Sequence, residues 1–383
     1  MKLVAKTLYG LEEVLAAELT DLGADNVRPG NRAVTFEGTK TLLYKVNYNS
    51  RLALSFLVPV TEFTIAKPTD LYDGTVRVEW DRYLDPEKTY AVSAVVTSKH
   101  FTHSGYPALV VKDAIADFFR RLTARRPSVD TRSPDLLVNL HISHDRVTIS
   151  LDSTVMPLYK RGYREEQVAA PLNEVLAAGI IRLSGWKAEK PLVDGMCGSG
   201  TIVAEAGLIA CNIAPGSFRR NFGFMKWKDF DDALLRSVKF DAEKKEKQSM
   251  VKIFGSDISP EAVRIASANI IGAGLRDAVT ISQADFLNTP APAEEGLLIM
   301  NPPYGQRIGG EGMNALYREI GSCLKHNYNG YEAWVISGDR ESLQAIGLKS
   351  FRKYDLYNGS IECRLQGYDL YAGSRKITDT HKH

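Results

Sequence analysis

Asn301, Pro302, Pro303 and Tyr304 follow the apolar run Leu297–Met300 and lead through Gly305 to Arg307. Two successive prolines donate no backbone hydrogen bonds and hold φ at about −65°. The loop is therefore stiff and rich in unpaired carbonyl acceptors, and Tyr304 adds a flat face that can stack on a planar group. A second stretch, Asp-Gly-Met-Cys-Gly-Ser-Gly-Thr at 194–201, places glycines at 195, 198 and 200, where a tight turn lets backbone approach a ligand closely. It carries no lysine, which argues against a phosphate-cradling loop. Asp194 beside such a turn suits a cationic or amine-bearing ligand better than a pyrophosphate.

Two further acids have the same setting. Asp257, with Ile258 after it, ends Ile-Phe-Gly-Ser-Asp, and Ser259 and Pro260 read as the cap and first residue of a helix. An acid there in a doubly wound sheet takes ribose hydroxyls. Asp285 and Phe286 end Gln-Ala-Asp-Phe, placed to hydrogen-bond an adenine amino group and to cover its ring. Any one of these aspartates alone reads more simply as a cap or a solvated loop residue. Four strand ends in succession, each delivering a polar side chain to one sheet edge, read as a ligand site, because ligands of open α/β sheets bind outside the carboxyl ends of the strands.

The elements that must position these groups follow from pattern. From about residue 165, helices alternate with short apolar runs at 191–195, 251–256, 277–282, 296–300 and 332–336, which predicts a parallel sheet covered on both faces. Asn358-Gly359 between two strand-like runs predicts a hairpin, so the sheet should finish with an antiparallel edge strand. The chain opens as strand–helix–strand. Between 66 and 155 the pattern predicts strands at 75–80, 89–97, 136–142 and 145–151, with a helix from Tyr106 to Ala124. The expected division is 1–65, 66–155 and 156–383.

A chain of 383 residues can bury several cores. A net charge of +2 leaves any affinity for nucleic acid to local patches. Four cysteines without CxxC spacing fit a reducing compartment and supply no zinc site. The His100/His103 and His141/His144 pairs read as strand or loop residues, not metal ligands. No apolar run of about 18 residues occurs, so a cytoplasmic protein without membrane contact is expected.

Taken together, DGMCGSGT, GSD, QAD and NPPYG resemble S-adenosylmethionine-dependent methyltransferases acting on exocyclic amino groups of bases. The similarity is greatest to the THUMP-containing RNA guanine-N2 methyltransferases, in particular the bacterial 23S rRNA enzymes of type L. It extends over the opening KTLYGLEEVLAAEL, the linker LYKRGYR and the helix APLNEVLAAGIIRLSGW. The resemblance implies a ferredoxin-like opening, a THUMP module and a Rossmann-like methyltransferase domain. It further implies S-adenosylmethionine as cofactor, S-adenosylhomocysteine as product, and RNA as partner, as 23S rRNA or a pre-ribosomal particle. Asp194, Met196, Cys197, Gly198, Ser199 and Gly200 would form the cofactor turn, Asp257 with Ile258 the ribose end, and Asp285 with Phe286 the adenine site. Asn301, Pro302, Pro303 and Tyr304 would be catalytic. Two departures stand out: Gly195 where the family often has proline, and an insertion that puts Asp257 57 residues after Gly200.

Candidate RNA contacts are Lys160, Arg161, Tyr163 and Arg164 in the linker, and Arg219 and Arg220 in SFRRNFGFMKWKDF, where cations interleave with aromatics. The alternative for the latter segment is a packing insertion with solvated charges. Arg120, Arg121, Arg125 and Arg126 read equally as complements to a helix dipole or as an RNA-facing patch. The competing functions are a transfer-RNA guanine-N2 methyltransferase, a DNA adenine-N6 methyltransferase, a non-catalytic ribosome-assembly factor, and a nicotinamide dehydrogenase; the missing GxGxxG opposes the last.

Overall fold

The computed structural model describes residues 1–164, 166, 171–303 and 310–371. They form two compact units, one of Met1–Gly162 with Ala214–Lys245, the other of Tyr163–Ile213 with the chain from Glu246 onward.

The first unit is built on one eight-stranded sheet. Its elements are β1 (Lys2–Lys6), α1 (Glu12–Asp21), β2 (Asp25–Gly30), β3 (Ala33–Glu37), α2 (Lys40–Asn49), β4 (Ser55–Thr64), α3 (Asp70–Val76), β5 (Thr89–Thr97), α4 (Gly105–Thr123), β6 (Ser128–Val129), β7 (Leu136–Ser143) and β8 (Arg146–Asp152). The strand order is β2-β3-β1-β4-β8-β7-β5-β6. β4 is the joint, pairing antiparallel with β1 through Ser55–Leu57 and with β8 through Leu57–Thr64.

The strand expected at 75–80 is absent. Val76, Val78 and Trp80 alternate with Arg77 and Glu79 as a strand would, but local side-chain bonds win. Asp70 Oδ2 accepts the N–H groups of Ala66 and Lys67 at 2.8 and 3.0 Å and starts α3. The Thr75 hydroxyl bonds back to Leu71 O at 2.6 Å, and the fully buried Trp80 donates its indole N–H to Thr75 O at 2.9 Å.

The second unit opens with α5 (Glu174–Leu183), β9 (Leu192–Asp194) and α6 (Thr201–Ala210). The chain then returns to the first unit for residues 214–245, which include α7 (Asp232–Glu243). It resumes with β10 (Ile253–Asp257), α8 (Pro260–Gly272), β11 (Val279–Gln283), β12 (Gly296–Met300), α9 (Gly310–Asn327), β13 (Tyr331–Ser337), α10 (Arg340–Ala345), β14 (Arg352–Asn358) and β15 (Ile361–Asp369). The sheet order is β11-β10-β9-β12-β13-β15-β14, parallel through β13. The last strand is antiparallel, as expected, but it is not the edge: β15 lies between β13 and β14. Burial accounts for this. β15 buries Cys363 and Leu365–Tyr368, whereas β14 exposes Arg352, Lys353 and Asp355, and a charged strand tolerates an edge that an apolar one does not. The turn has Gly359 at its first central position with φ of 64°, a conformation open to glycine.

Residues 214–245 carry their own anchor. The Phe224 ring stacks on Tyr44 of α2 at 4.1 Å and on Phe222 at 5.4 Å. The Tyr44 hydroxyl accepts the Asp231 N–H at 3.1 Å, and Asp231 caps α7 through Leu234 N–H at 3.0 Å. Lys226 and Lys228 pair with Asp135 and Asp85 at 3.1 and 2.8 Å. Replacing Tyr44 by alanine removes a stacked ring and a helix-start acceptor together. We predict a loss of about 3–5 kcal/mol, in the range of buried aromatic truncations, in denaturant unfolding, with faster proteolytic cleavage inside 214–245.

Candidate functional site

In the second unit the chain runs outward from β9 to β10 and β11, then crosses back to β12, so the carboxyl end of β9 is the switch point where a crevice must open. Asp194 ends β9, Asp257 ends β10, Asp285 lies two residues past β11 and Asn301 directly follows β12. All four line one cavity of about 660 Å³. Sequence reasoning brought these groups together, and the structure places them at one mouth.

The turn after β9 is held by backbone bonds. Cys197 N–H donates to Ser256 O at 2.9 Å and Gly200 N–H to Cys197 O at 2.8 Å. Asp257 accepts Gly198 N–H on one oxygen and Ser259 N–H on the other, each at 2.9 Å. Gly198 and Gly200 sit at φ of 53° and 79°, where a side chain would be strained. Met196 and Ser199 complete the lining on this side. Gly195 has another reason to be glycine: a Cβ there would overlap the Phe286 ring. That ring is 2% exposed, stacks on Tyr328 at 5.3 Å and forms the floor under the turn. Glycine in place of the family's frequent proline is thus matched by an aromatic beneath it. Asp285 holds its own turn, accepting Leu287 N–H at 3.0 Å and the Asn288 amide at 2.6 Å. Ile258 is 67% exposed at the cavity wall, an apolar face open to a ring.

Asp194 is fully buried. Burial first, and the Asp257 carboxylate second, push its carboxyl up to about 8, against the opposing Met196 N–H. Burial likewise raises the Cys197 thiol well above its ordinary range, so it is no nucleophile. At the other wall, Asn301 Oδ1 is buried and has no hydrogen-bond partner among the described residues. An acceptor left in that state costs about 1–3 kcal/mol, and such a group calls for a donor that the described residues do not supply. Pro302 is buried, and the carbonyl of Pro303 stands 3.4 Å from the Tyr317 hydroxyl, which donates to Ser337 Oγ at 2.8 Å. Tyr304 lies outside the described residues.

The linker and insertion cations differ from expectation. Arg161 is 1% exposed and gives its guanidinium to Leu158 O and Arg51 O at 3.0 and 2.6 Å. Arg219 donates to Met156 O, Pro157 O and Lys160 O at 2.6, 3.0 and 2.9 Å. Arg164 donates to Thr201 Oγ1 at 2.6 Å, with Glu174 at 3.1 Å, and the buried Tyr163 hydroxyl donates to Glu205 at 3.2 Å. These four are internal braces: the guanidiniums of Arg161 and Arg219 satisfy backbone carbonyls that irregular chain leaves unpaired, and Arg164 and Tyr163 bond to buried side chains. Phe222 and Phe224 are core residues as well, so these two aromatics are packing and not a stacking platform. Lys160 and Arg220 remain exposed. Conversely, Leu172, Asn358 and Ile361 line the cavity and were not foreseen. Asn358-Gly359 announced a turn, but only the interior position of β15 carries that turn to the cavity.

The fold, with a glycine turn at the switch point and strand-end acids beside it, is that of an S-adenosylmethionine-dependent methyltransferase. The chain belongs to the RMKL-like methyltransferases, whose methyltransferase-domain model matches residues 161–367. A THUMP domain model matches 66–152 and an RlmL ferredoxin-like domain model matches 2–54. The chain is 39% identical over 96% of its length to slr0064 of Synechocystis sp. PCC 6803, by name a candidate RNA methyltransferase, and covers 96% of it. It is 38% identical over 94% of its length to the ribosomal RNA large subunit methyltransferase K/L of Methylococcus capsulatus, spanning 50% of that protein. Among solved structures, SMU.472, crystallised with S-adenosylhomocysteine, superposes with a TM-score of 0.87 at 30% identity, covering 97% of this chain and 99% of that one.

Two outcomes follow from the turn. Gly195→Ala should abolish the rise in melting temperature given by S-adenosylhomocysteine, and adding Phe286→Leu should restore part of it. A carboxyl whose pKa is raised by folding lends stability that is complete below about pH 4 and lost as pH climbs through about 8. Unfolding free energy of the ligand-free protein should therefore fall across that window, and Asp194→Asn should flatten the fall, measured by denaturant titration at each pH.

Proposed function

We propose that this chain transfers a methyl group from S-adenosylmethionine to the exocyclic N2 amino group of a guanosine in structured RNA, with 23S rRNA as the substrate. The observation that carries this is Asn301 Oδ1, a buried acceptor without a partner among the described residues, at the rim of a cavity lined by acids and a glycine turn. In support, the chain carries a THUMP domain and is similar to relatives named for large-subunit ribosomal RNA. In this reading residues 1–65 and 66–155 present the RNA, residues 156–383 hold the chemistry apart from 214–245, and the enzyme works in the cytoplasm.

The cofactor supplies an electrophilic methyl on a sulfonium. Asp194 and the turn from Met196 to Gly200 would hold its methionine end, Asp257 would take the ribose hydroxyls with the lone pairs its two backbone bonds leave, Ile258 would pack on the adenine, and Asp285 would accept the adenine amino group. Phe286 supports the turn from below. An exocyclic amino nitrogen is a weak nucleophile because its lone pair is delocalised into the ring. Asn301 Oδ1 and the Pro302 carbonyl each accept one amino hydrogen, which favours the pyramidal nitrogen and grows stronger as positive charge develops there. So held, the nitrogen would be placed to take the methyl that the bound cofactor would supply, the carbon–sulfur bond giving its electron pair back to sulfur and the surplus amino proton passing to water. Tyr304 stacks the base in line. Reaching this pocket requires an unpaired or flipped nucleotide.

Asn301→Ala should lower kcat by about 10²–10³, the scale of losing one pre-aligned hydrogen-bonding group, with S-adenosylhomocysteine affinity nearly unchanged. Loss of cofactor binding in that variant would sink the assigned role. The direct test is labelled methyl transfer to unmodified 23S rRNA, transfer RNA and duplex DNA, followed by nucleoside analysis. N2-methylguanosine in 23S rRNA is the expected product. N2-methylguanosine in transfer RNA moves the substrate, and N6-methyladenine in DNA overturns the RNA reading.

A further inference from the structure

A second cavity, of about 610 Å³, lies in the same unit between α10 and the outer hairpin β14–β15. Four cations from four different segments line it: Arg340 of α10, Lys349 of the following loop, Lys353 of β14 and Arg364 of β15. No carboxylate is among the described residues that line it. Asp355 and Glu362 act from outside the lining, on the two guanidiniums alone: Arg364 stands 2.8 Å from Asp355, and Arg340 pairs with Glu362 and lies 3.4 Å from Asp355. Lys349 and Lys353 are exposed and have no partner among the described residues. Gln366 spends its amide oxygen on the Tyr368 hydroxyl at 3.0 Å, which leaves its amide nitrogen to donate. The side chains facing this cavity are thus chiefly hydrogen-bond donors with an excess of positive charge, the chemistry that takes an anion.

Edge protection explains only part of the cluster. A charged edge strand discourages stray pairing, and Lys353 on β14 serves that end. Arg340 and Lys349 lie on a helix and a loop, where they guard no edge, yet they converge on the same concavity. The same β14 ends at Asn358, in the wall of the catalytic cavity. Lys353 and Asn358 are five residues apart, which at strand rise is about 17 Å, a reach of a few nucleotides.

We propose that this cleft binds phosphates of the substrate RNA backbone a few nucleotides from the target base; the inference rests on the functional reading above. The lysines make the contacts, and the paired guanidiniums supply the field and the shape. The test is Lys349→Ala with Lys353→Ala, two exposed changes that leave the ion pairs and the cofactor site intact. RNA affinity for an unmodified 23S rRNA transcript is measured against salt, with the melting temperature and its rise with S-adenosylhomocysteine as controls. The expected result is about tenfold weaker RNA binding and a log–log salt slope shallower by roughly 1–2, the value of one or two lost phosphate contacts, with both controls unchanged. Unchanged affinity and slope overturn the site, and would point to edge protection or an acidic protein partner. Inorganic phosphate that stabilises the wild type beyond chloride of equal ionic strength, while the variant binds RNA normally, assigns the cleft to a free anion and also overturns it. Wild-type protein that methylates no RNA overturns the functional reading and takes this site with it; methylation of RNA by wild type and unaltered RNA binding by the variant overturn the site alone.

Discussion

One carboxylate ties the catalytic half together. Asp257, at the end of β10, accepts the backbone N–H of Gly198 on one oxygen and that of Ser259 on the other. The first bond joins the backbone bonds of Cys197 and Gly200 in holding the turn after β9 in its left-handed conformation, and the second closes the entry to α8. The Asp257 carboxylate also brings a negative charge close to Asp194. That charge has a cost one strand away, because it adds to burial in holding Asp194 protonated near neutrality. The remainder of the site, from the Phe286 floor to the buried amide oxygen of Asn301, lies around a loop that this bridge helps to hold.

Much of the site was readable because strand ends in a parallel sheet declare themselves: an apolar run stops at a polar residue, and the acids after β9, β10 and β11 and the amide after β12 obeyed that rule. What escaped was long-range. Gly195 reads as a loosened turn until Phe286, 91 residues later, is seen to fill the space a side chain would need. Arg161, Arg164 and Arg219 read as nucleic-acid contacts because sequence shows a cation and not the carbonyls it will meet. Residues 75–80 alternate like a strand, and only the bonds made by Asp70, Thr75 and Trp80 decide for a helix and a turn. The inner position of β15 depends on burial compared across two strands, which neither strand shows by itself.

The first unit illustrates a related point. Two modules recognised separately in sequence, at 2–54 and 66–152, share one sheet through β4. The junction is sealed by buried polar groups: Asn47 donates to Ser153 Oγ at 2.9 Å, and Thr154 donates to the Asn47 carbonyl oxygen at 2.8 Å. Burial raises the Asp152 carboxyl, which accepts the N–H groups of Thr154 and Val155 at 2.8 and 2.9 Å. Such a network favours a single registration of the two modules, since a slipped pairing would leave several of these groups buried and unpaired.

The excursion of residues 214–245 bears on how this protein could be divided. The backbone passes from one unit to the other at Gly162, back at Ile213 and forward again at Lys245. A cut at any one of these points yields no self-sufficient half. A fragment ending at Gly162 would leave Tyr44 without Phe224 and Asp231, and one beginning at Tyr163 would carry the aromatic segment 214–245 without the core it packs on. Splicing, circular permutation or fragment complementation would have to treat the two units as interwoven lengths of chain, with the excursion grafted onto the front half by a new linker.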